Sequence, residues 1–355
     1  MKKKIIGIAL SLTLMLGLSL SLTSCGGSDG GENGTVHVYC FGDYLDPALV
    51  DQFEAETGIE VVLDTFDTNE EMYPVIKNQS AEYDVVCVSD YMVEKLMGEE
   101  LLTKIDFDAI PNKANLLEKY MEQSKTFDPN NEYSVPHTWG TLGILYDTTK
   151  IKEGELKSWN DLWDKQYDGK IVMPDSMRDT LAIAMKAKGY SLNTTDEEEI
   201  KAASEYLTKQ KSMVYKYAND SARDLILGGS ADIAVVWSGE VLYCQETRPE
   251  LEFVLPEEGS EEFIDAWVIP AASKNQENAA KWINFMLDKD VALVNYEYLT
   301  YTIPNVSVYD GVKDDAKKKD ILFPADSLLE KCESLKSFPP EVEDMYSKYW
   351  KKFKS

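Results

Sequence analysis

Histidine is almost missing from this chain. His37 and His137 are the only two, and they lie far apart without ligand spacing, which makes metal catalysis a poor reading. Cysteine is scarce too: Cys25, Cys40, Cys87, Cys244 and Cys332 contain no CxxC pair. No GxSxG elbow, Walker loop or HExxH helix occurs, which lowers an enzyme reading without excluding it, and no cofactor is expected. Basic residues are outnumbered, with 36 Lys and Arg against 63 Asp and Glu and a formal charge of -27. Such a surface repels a phosphate backbone, so nucleic acid is not an expected partner. Solubility outside a cell accounts for most of the charge, and cations are the ligands it favours. Long apolar runs are also lacking, apart from Ile5 to Leu22, which is shorter than the roughly 20 residues of a spanning helix.

That one run follows Lys2-Lys3-Lys4 and closes on Leu22-Thr23-Ser24-Cys25. A basic start, an apolar core and a terminal cysteine make a bacterial lipoprotein signal. Residues 1–24 are read as the signal peptide, Cys25 as the lipidated first residue of the mature chain, and 25–34 as a glycine-rich flexible tether. Loss of the three leader lysines takes the formal charge from -27 to -30. The folded body is expected outside the cytoplasm, anchored to the membrane by lipid. In that setting the four remaining cysteines permit two disulfides. Cys40 and Cys87, however, sit in apolar strand-like segments where buried thiols are as ordinary, and both states stay open.

With 44% hydrophobic residues, the mature chain exceeds what one core commonly supports, and two lobes are expected. Its 20 tyrosines and 7 tryptophans are more than a core needs, so some should line a surface. From Thr35 the pattern alternates strand and helix: a strand around Val36 and Val38, a helix opened by Asp46-Pro47 and ended by Gly58, a strand at 59–63, a helix at 69–79 and a strand at 83–88. After the turn Asp128-Pro129-Asn130-Asn131, a strand is read at 141–146 and a helix start at 159–163. Then follow a strand at 171–173, helices at 179–188 and 195–209, strands at 233–237 and 266–269, and helices at 278–287 and from Pro339 onward. This is the order of an α/β protein with parallel sheets, whose ligands sit beyond the carboxyl ends of the strands.

Four strand ends combine an aromatic with a carboxylate: Phe41-Gly42-Asp43-Tyr44, Asp90-Tyr91, Trp237-Ser238-Gly239-Glu240 and Phe263-Ile264-Asp265. Asp175 and Asp179 follow a fifth strand. Across a cleft these would form a box with anionic ends and π walls, suited to an alkylammonium. Asp43, Asp90 and Asp179 fit equally as helix caps, Glu240 as a first-turn residue favoured by the helix dipole, and Trp237 as core.

The same residues carry a resemblance, together with Thr68-Asn69-Glu70-Glu71-Met72-Tyr73, the run Phe127 to Pro136 followed by Trp139-Gly140, Gly189 to Asp196, and Tyr301-Thr302-Ile303-Pro304-Asn305. Over nearly the whole mature chain they resemble the spermidine/putrescine-binding proteins that serve ABC transporters. The resemblance implies an α/β, two-lobed periplasmic-binding fold of type II, with the ligand cleft between lobes. Residues 35–138 plus 264–309 would form one lobe, and 144–258 plus 315–355 the other. It implies Phe41, Tyr44, Tyr91, Trp237, Phe263 and Tyr301 as aromatic walls, Asp43, Asp179 and Asp265 as ammonium ligands, and Ser89 as a polar wall contact. The implied partners are a polyamine and a membrane permease, the protein acting as a monomer. Ser176 departs from the pattern, standing where spermidine-selective relatives carry an acid, with Asp175 adjacent. Phe263 replaces a tryptophan, and the family's last polar ligand has no counterpart near Leu335. Glu240 stands where putrescine-preferring relatives carry an acid, which tilts the reading slightly toward putrescine.

Two other functions compete: an exported hydrolase using two of Asp43, Asp179, Asp265 and Glu240, and the same fold holding ferric ion. The latter needs adjacent tyrosines, whereas the acids here alternate with single aromatics. For the leader, Cys25→Ala should abolish lipid attachment and leave the domain folded. Palmitate labelling that persists in the variant refutes the assignment.

Overall fold

The computed structural model describes residues 31–355; the segment expected to be a signal peptide and Cys25 lie outside them. Nine strands run through it: β1 Thr35–Phe41, β2 Glu60–Phe66, β3 Val85–Ser89, β4 Ser134–Asp147, β5 Ile171–Met173, β6 Val214–Tyr217, β7 Ile233–Trp237, β8 Leu251–Val254 and β9 Glu262–Val268. Their order is β2-β1-β3-β9-β4-β7-β5-β6, with β8 beside β4.

Local chemistry explains the first elements. Asp46 caps the helix Pro47–Thr57 by accepting from the Ala48 amide at 2.9 Å. Proline occupies the first helical position, and Gly58 ends the helix at φ 68°, a left-handed turn that favours glycine. β3 is apolar and buried on both faces, as a central strand must be.

β4 organises everything else. It is fourteen residues long and buried throughout. Ser134 to Thr141 pair antiparallel with β9, then Leu142 to Asp147 pair with β7 and β8. The change of partners separates two cores. One lies on both faces of the β2-β1-β3-β9 portion, around Trp267 and Trp282 on one side and Trp139 and Met72 on the other. The second surrounds β5 and β7, with Trp159 and Ile171 on one side and Val172 and Ala234 on the other.

Several expectations change. The strand read at 141–146 begins seven residues earlier, at Ser134, and absorbs the Val135-Pro136 segment. Pro136 lacks an amide hydrogen, and a bulge next to it accommodates the loss. The sheet is mixed: β1, β2 and β3 are mutually parallel, as are β5, β6 and β7, but β9 and β4 run antiparallel to their neighbours. No helix separates β8 from β9, so no crossover forces β9 into parallel order. Segment 159–163 is a 3-10 turn held by a Ser158–Asp161 capping box. The tail divides between the cores: Leu322, expected with the second lobe, is buried in the first, while Val342, Tyr346 and Phe353 of the helix Pro340–Lys354 fill the second. All four cysteines among the described residues are free thiols; burial raises Cys40 and Cys244 to about 12. No helix of the described residues is long and apolar enough to cross a membrane.

The two halves touch tightly at Gly239, where the helix Gly239–Thr247 starts. A Cβ here would come within 2.0 Å of the Tyr301 ring. The Thr300 hydroxyl also donates to the Gly239 carbonyl at 2.6 Å, and Thr300 holds φ 60°. Gly239→Ala should therefore cost about 1–3 kcal/mol in urea denaturation; an unchanged midpoint would mean that the ring has room to move.

Candidate functional site

A cavity of about 270 Å³ opens between the two cores. Its walls come from the carboxyl ends of β1, β3, β5 and β7, where loops pass into helices, and from one edge of β9. All eleven residues singled out from the sequence line it: Phe41, Asp43, Tyr44, Ser89, Tyr91, Asp179, Trp237, Glu240, Phe263, Asp265 and Tyr301. Phe263 and Asp265 were expected at a strand end but lie inside β9. Their two-residue spacing puts both on one face, while Ile264 enters the core behind.

Asp265 marks the innermost end. It is buried, and its Oδ2 accepts the hydroxyls of Tyr44 and Thr138. The Tyr44 and Thr138 oxygens lie 2.6 Å apart, so the Thr138 proton is shared between Tyr44 and Asp265. Oδ1 has no partner. Burial raises the carboxyl above the usual carboxylate range, against the hydroxyls of Tyr44 and Thr138 that favour its charge. Tyr301 closes over this end, its ring 5.8 Å from that of Tyr44 at 68°, an edge-to-face contact. Phe41 stands 5.2 Å from Tyr44 on the other side.

A second acidic group lies on the β5 side. Asp179, in the first turn of the helix Met177–Ala187, accepts the Ser176 hydroxyl. Glu261 joins it, buried on the same wall. Tyr91 donates to Glu70 at 3.1 Å and lies under the Arg178 guanidinium, 5.1 Å away. Asp175 turns outward instead, paired with Lys354 at 2.5 Å, and does not line the cavity. Asp90 is buried in the first turn of the helix Asp90–Gly98, behind the wall rather than in it.

The outer end carries an arginine. Arg223 reaches Asp43 at 3.0 Å and Glu240 at 3.3 Å, with its guanidinium 4.9 Å from the Tyr243 ring. Burial disfavours its charge, but Glu240 and Asp43 outweigh that and hold it more firmly protonated than usual. Glu240 accepts the Tyr301 hydroxyl at 3.1 Å as well. Burial raises its carboxyl, and Arg223 opposes the rise. Asp43 is not a cap; it sits at φ 51° in the loop before Asp46.

The family model of bacterial extracellular solute-binding proteins matches residues 48–325. The chain belongs to this family. It is 34% identical over 339 residues to the spermidine/putrescine-binding periplasmic protein of Salmonella typhimurium, across 95% of this chain and 96% of that one. A Listeria monocytogenes structure assigned to a spermidine/putrescine ABC transporter superposes with a TM-score of 0.85 at 32% identity, covering 90% of this chain and 98% of that chain. A spermidine/putrescine substrate-binding protein of Streptococcus pneumoniae, solved with calcium and HEPES, gives 0.76 at 34%, with 90% and 98% covered. The two-lobed periplasmic-binding fold is shared, and an extracytoplasmic location follows from periplasmic relatives.

Two functional groups of this solute-binding protein escaped the sequence reading. Glu261, Phe263 and Asp265 share a period of two, which would have placed Glu261 on the cavity wall. Arg223 lies in the short helix Ser221–Leu227 after β6, and its proximity to Glu240 had no local signal. Among the described residues, no three His, Cys, Asp or Glu side chains converge to hold a metal.

Because burial raises Asp265, the stability contributed by its neutral form is complete below the unfolded value of about 3.9 and is lost as pH rises through the folded value. Asp265→Asn should therefore gain stability over the ligand-free parent between pH 4 and pH 8. Denaturant titrations at both pH values check this; a constant difference would contradict it.

Proposed function

We propose that this chain captures a linear polyamine, putrescine or spermidine, outside the cytoplasm and passes it unchanged to the permease of an ABC transporter. The single observation that carries the reading is the partnerless Oδ1 of Asp265 at the inner end of an aromatic-walled cavity. An ammonium there completes the hydrogen bonding of a buried carboxylate, while Trp237, Phe263 and Tyr301 cover the methylene chain. Each ring adds roughly 0.5–2 kcal/mol. A charge pair near a protein surface contributes on the order of 4 kcal/mol before desolvation. Two paired ends and two rings thus reach the about 8 kcal/mol of micromolar binding.

Glu240 no longer argues for the shorter amine, since Arg223 and Tyr301 already engage it; both ligands remain within the proposal. Capture needs no reacting group, so we read the chain as a receptor and not as an enzyme. Two lobes turning about β4 would close the cleft, with 35–138 plus 264–309 on one side and 144–258 plus the final helix on the other. Cys25 and the following glycines would hold this monomer at the membrane.

Isothermal titration with putrescine, spermidine, spermine and cadaverine tests the ligand class, and the amine should be recovered unchanged. Asp265→Asn and Trp237→Ala should each raise Kd at least tenfold, about 1.4 kcal/mol. Absence of binding to all four amines, or their hydrolysis, overturns the proposal.

A further inference from the structure

Glu261 is 5% exposed and lines the cavity, yet its Oε2 has no hydrogen-bond partner. Its backbone is fixed, the carbonyl accepting from Leu142 at 3.1 Å where the chain crosses between lobes. The side chain lies within hydrogen-bond reach of Asp179, whose Oδ2 is taken by Ser176. Two carboxyl groups thus share a buried wall. Burial and the neighbouring carboxylate both disfavour charge on Glu261.

Arg178 is the cation at hand and favours ionisation of Glu261, but it does not outweigh burial and Asp179. Its guanidinium donates to the Lys336 carbonyl at 3.0 Å and to Asn193 at 3.4 Å, with its face against the Phe338 ring. Lys186 is bound to Glu333, beside whose backbone Glu261 lies. The remaining charged neighbours are acids: Asp90 on the helix behind, Glu70 across the cavity and Asp265 on the same strand face. Burial, and then Asp179, raise Glu261 well above the usual carboxylate range.

We propose that Asp179 and Glu261 together receive one ligand ammonium, and that Glu261 releases its proton to solvent as the ammonium docks. The inference rests on the polyamine reading above and makes Glu261 a binding residue of that site. Only an O–H bond changes: the ligand arrives as R–NH3+, the neutral Glu261 carboxyl loses its O–H bond to become a carboxylate, and the proton passes to solvent and buffer. Ser176 then costs the site no acid, because Glu261, just before β9, supplies it. Affinity rises with pH while Glu261 titrates, at most tenfold per unit.

The test is calorimetric titration of putrescine and spermidine at pH 7 in phosphate and in Tris, whose different ionisation heats count protons released. The parent should release more than Glu261→Gln by about half a proton or more, and the variant should bind roughly tenfold more weakly at pH 8. Asp179→Asn should remove part of that share, since burial alone still raises Glu261, which keeps the test open should Glu261→Gln not fold. Equal proton release by the parent and either folded variant overturns the inference while leaving the polyamine reading intact. A parent that binds none of the amines overturns both.

Discussion

One strand spends its hydrogen bonds on two halves of the sheet in turn, and the cleft exists because of it. β4 gives its first half to β9 and its second to β7 and β8, so neither half can shift register without moving the other. A strand buried over its whole length tolerates no slip, since a one-residue change would reverse every side chain. The carboxyl ends of β1 and β3 therefore face those of β5 and β7 across the cleft. Thr138 next to Asp265, and Leu142 next to both Trp237 and the Glu261 carbonyl, show how closely this strand runs under the site.

Elements with local causes were legible. Asp46-Pro47 and Gly58 bracket a helix by capping chemistry alone, and aromatic–acid pairs at strand ends did gather in one cavity. What stayed hidden depends on partners distant in sequence. Asp175 and Asp179 look alike in the chain, but Lys354 draws one outward while Ser176 and Glu261 keep the other inside. Leu322 follows the first core because of where its helix packs, which no periodicity encodes. The antiparallel entry of β9 was missed because alternation of strand and helix had set the expectation, and here a loop replaces the helix.

The site also refines what the acidic composition means. Most of the negative charge is ordinary solvated surface, but inside the cavity the carboxylates differ in condition. Asp265 is held by hydroxyls with one oxygen spare, Asp179 and Glu261 lean on each other, and Glu240 is neutralised by an arginine. Composition shows an excess of acid; only geometry shows which acids lack a partner.

Arg223 has a thermodynamic consequence for the empty receptor. It belongs to the β6–β7 half but bonds Asp43 in the loop after β1, so the pair exists only when the lobes are together. Asp43 is largely exposed, and such a pair is worth about 0–1 kcal/mol. That is enough to shift an open–closed equilibrium up to roughly fivefold toward closure. A ligand then pays less of the conformational tax on its apparent affinity. Because the contact is wet, salt should weaken this bias, making the resting balance of the two shapes a function of ionic strength.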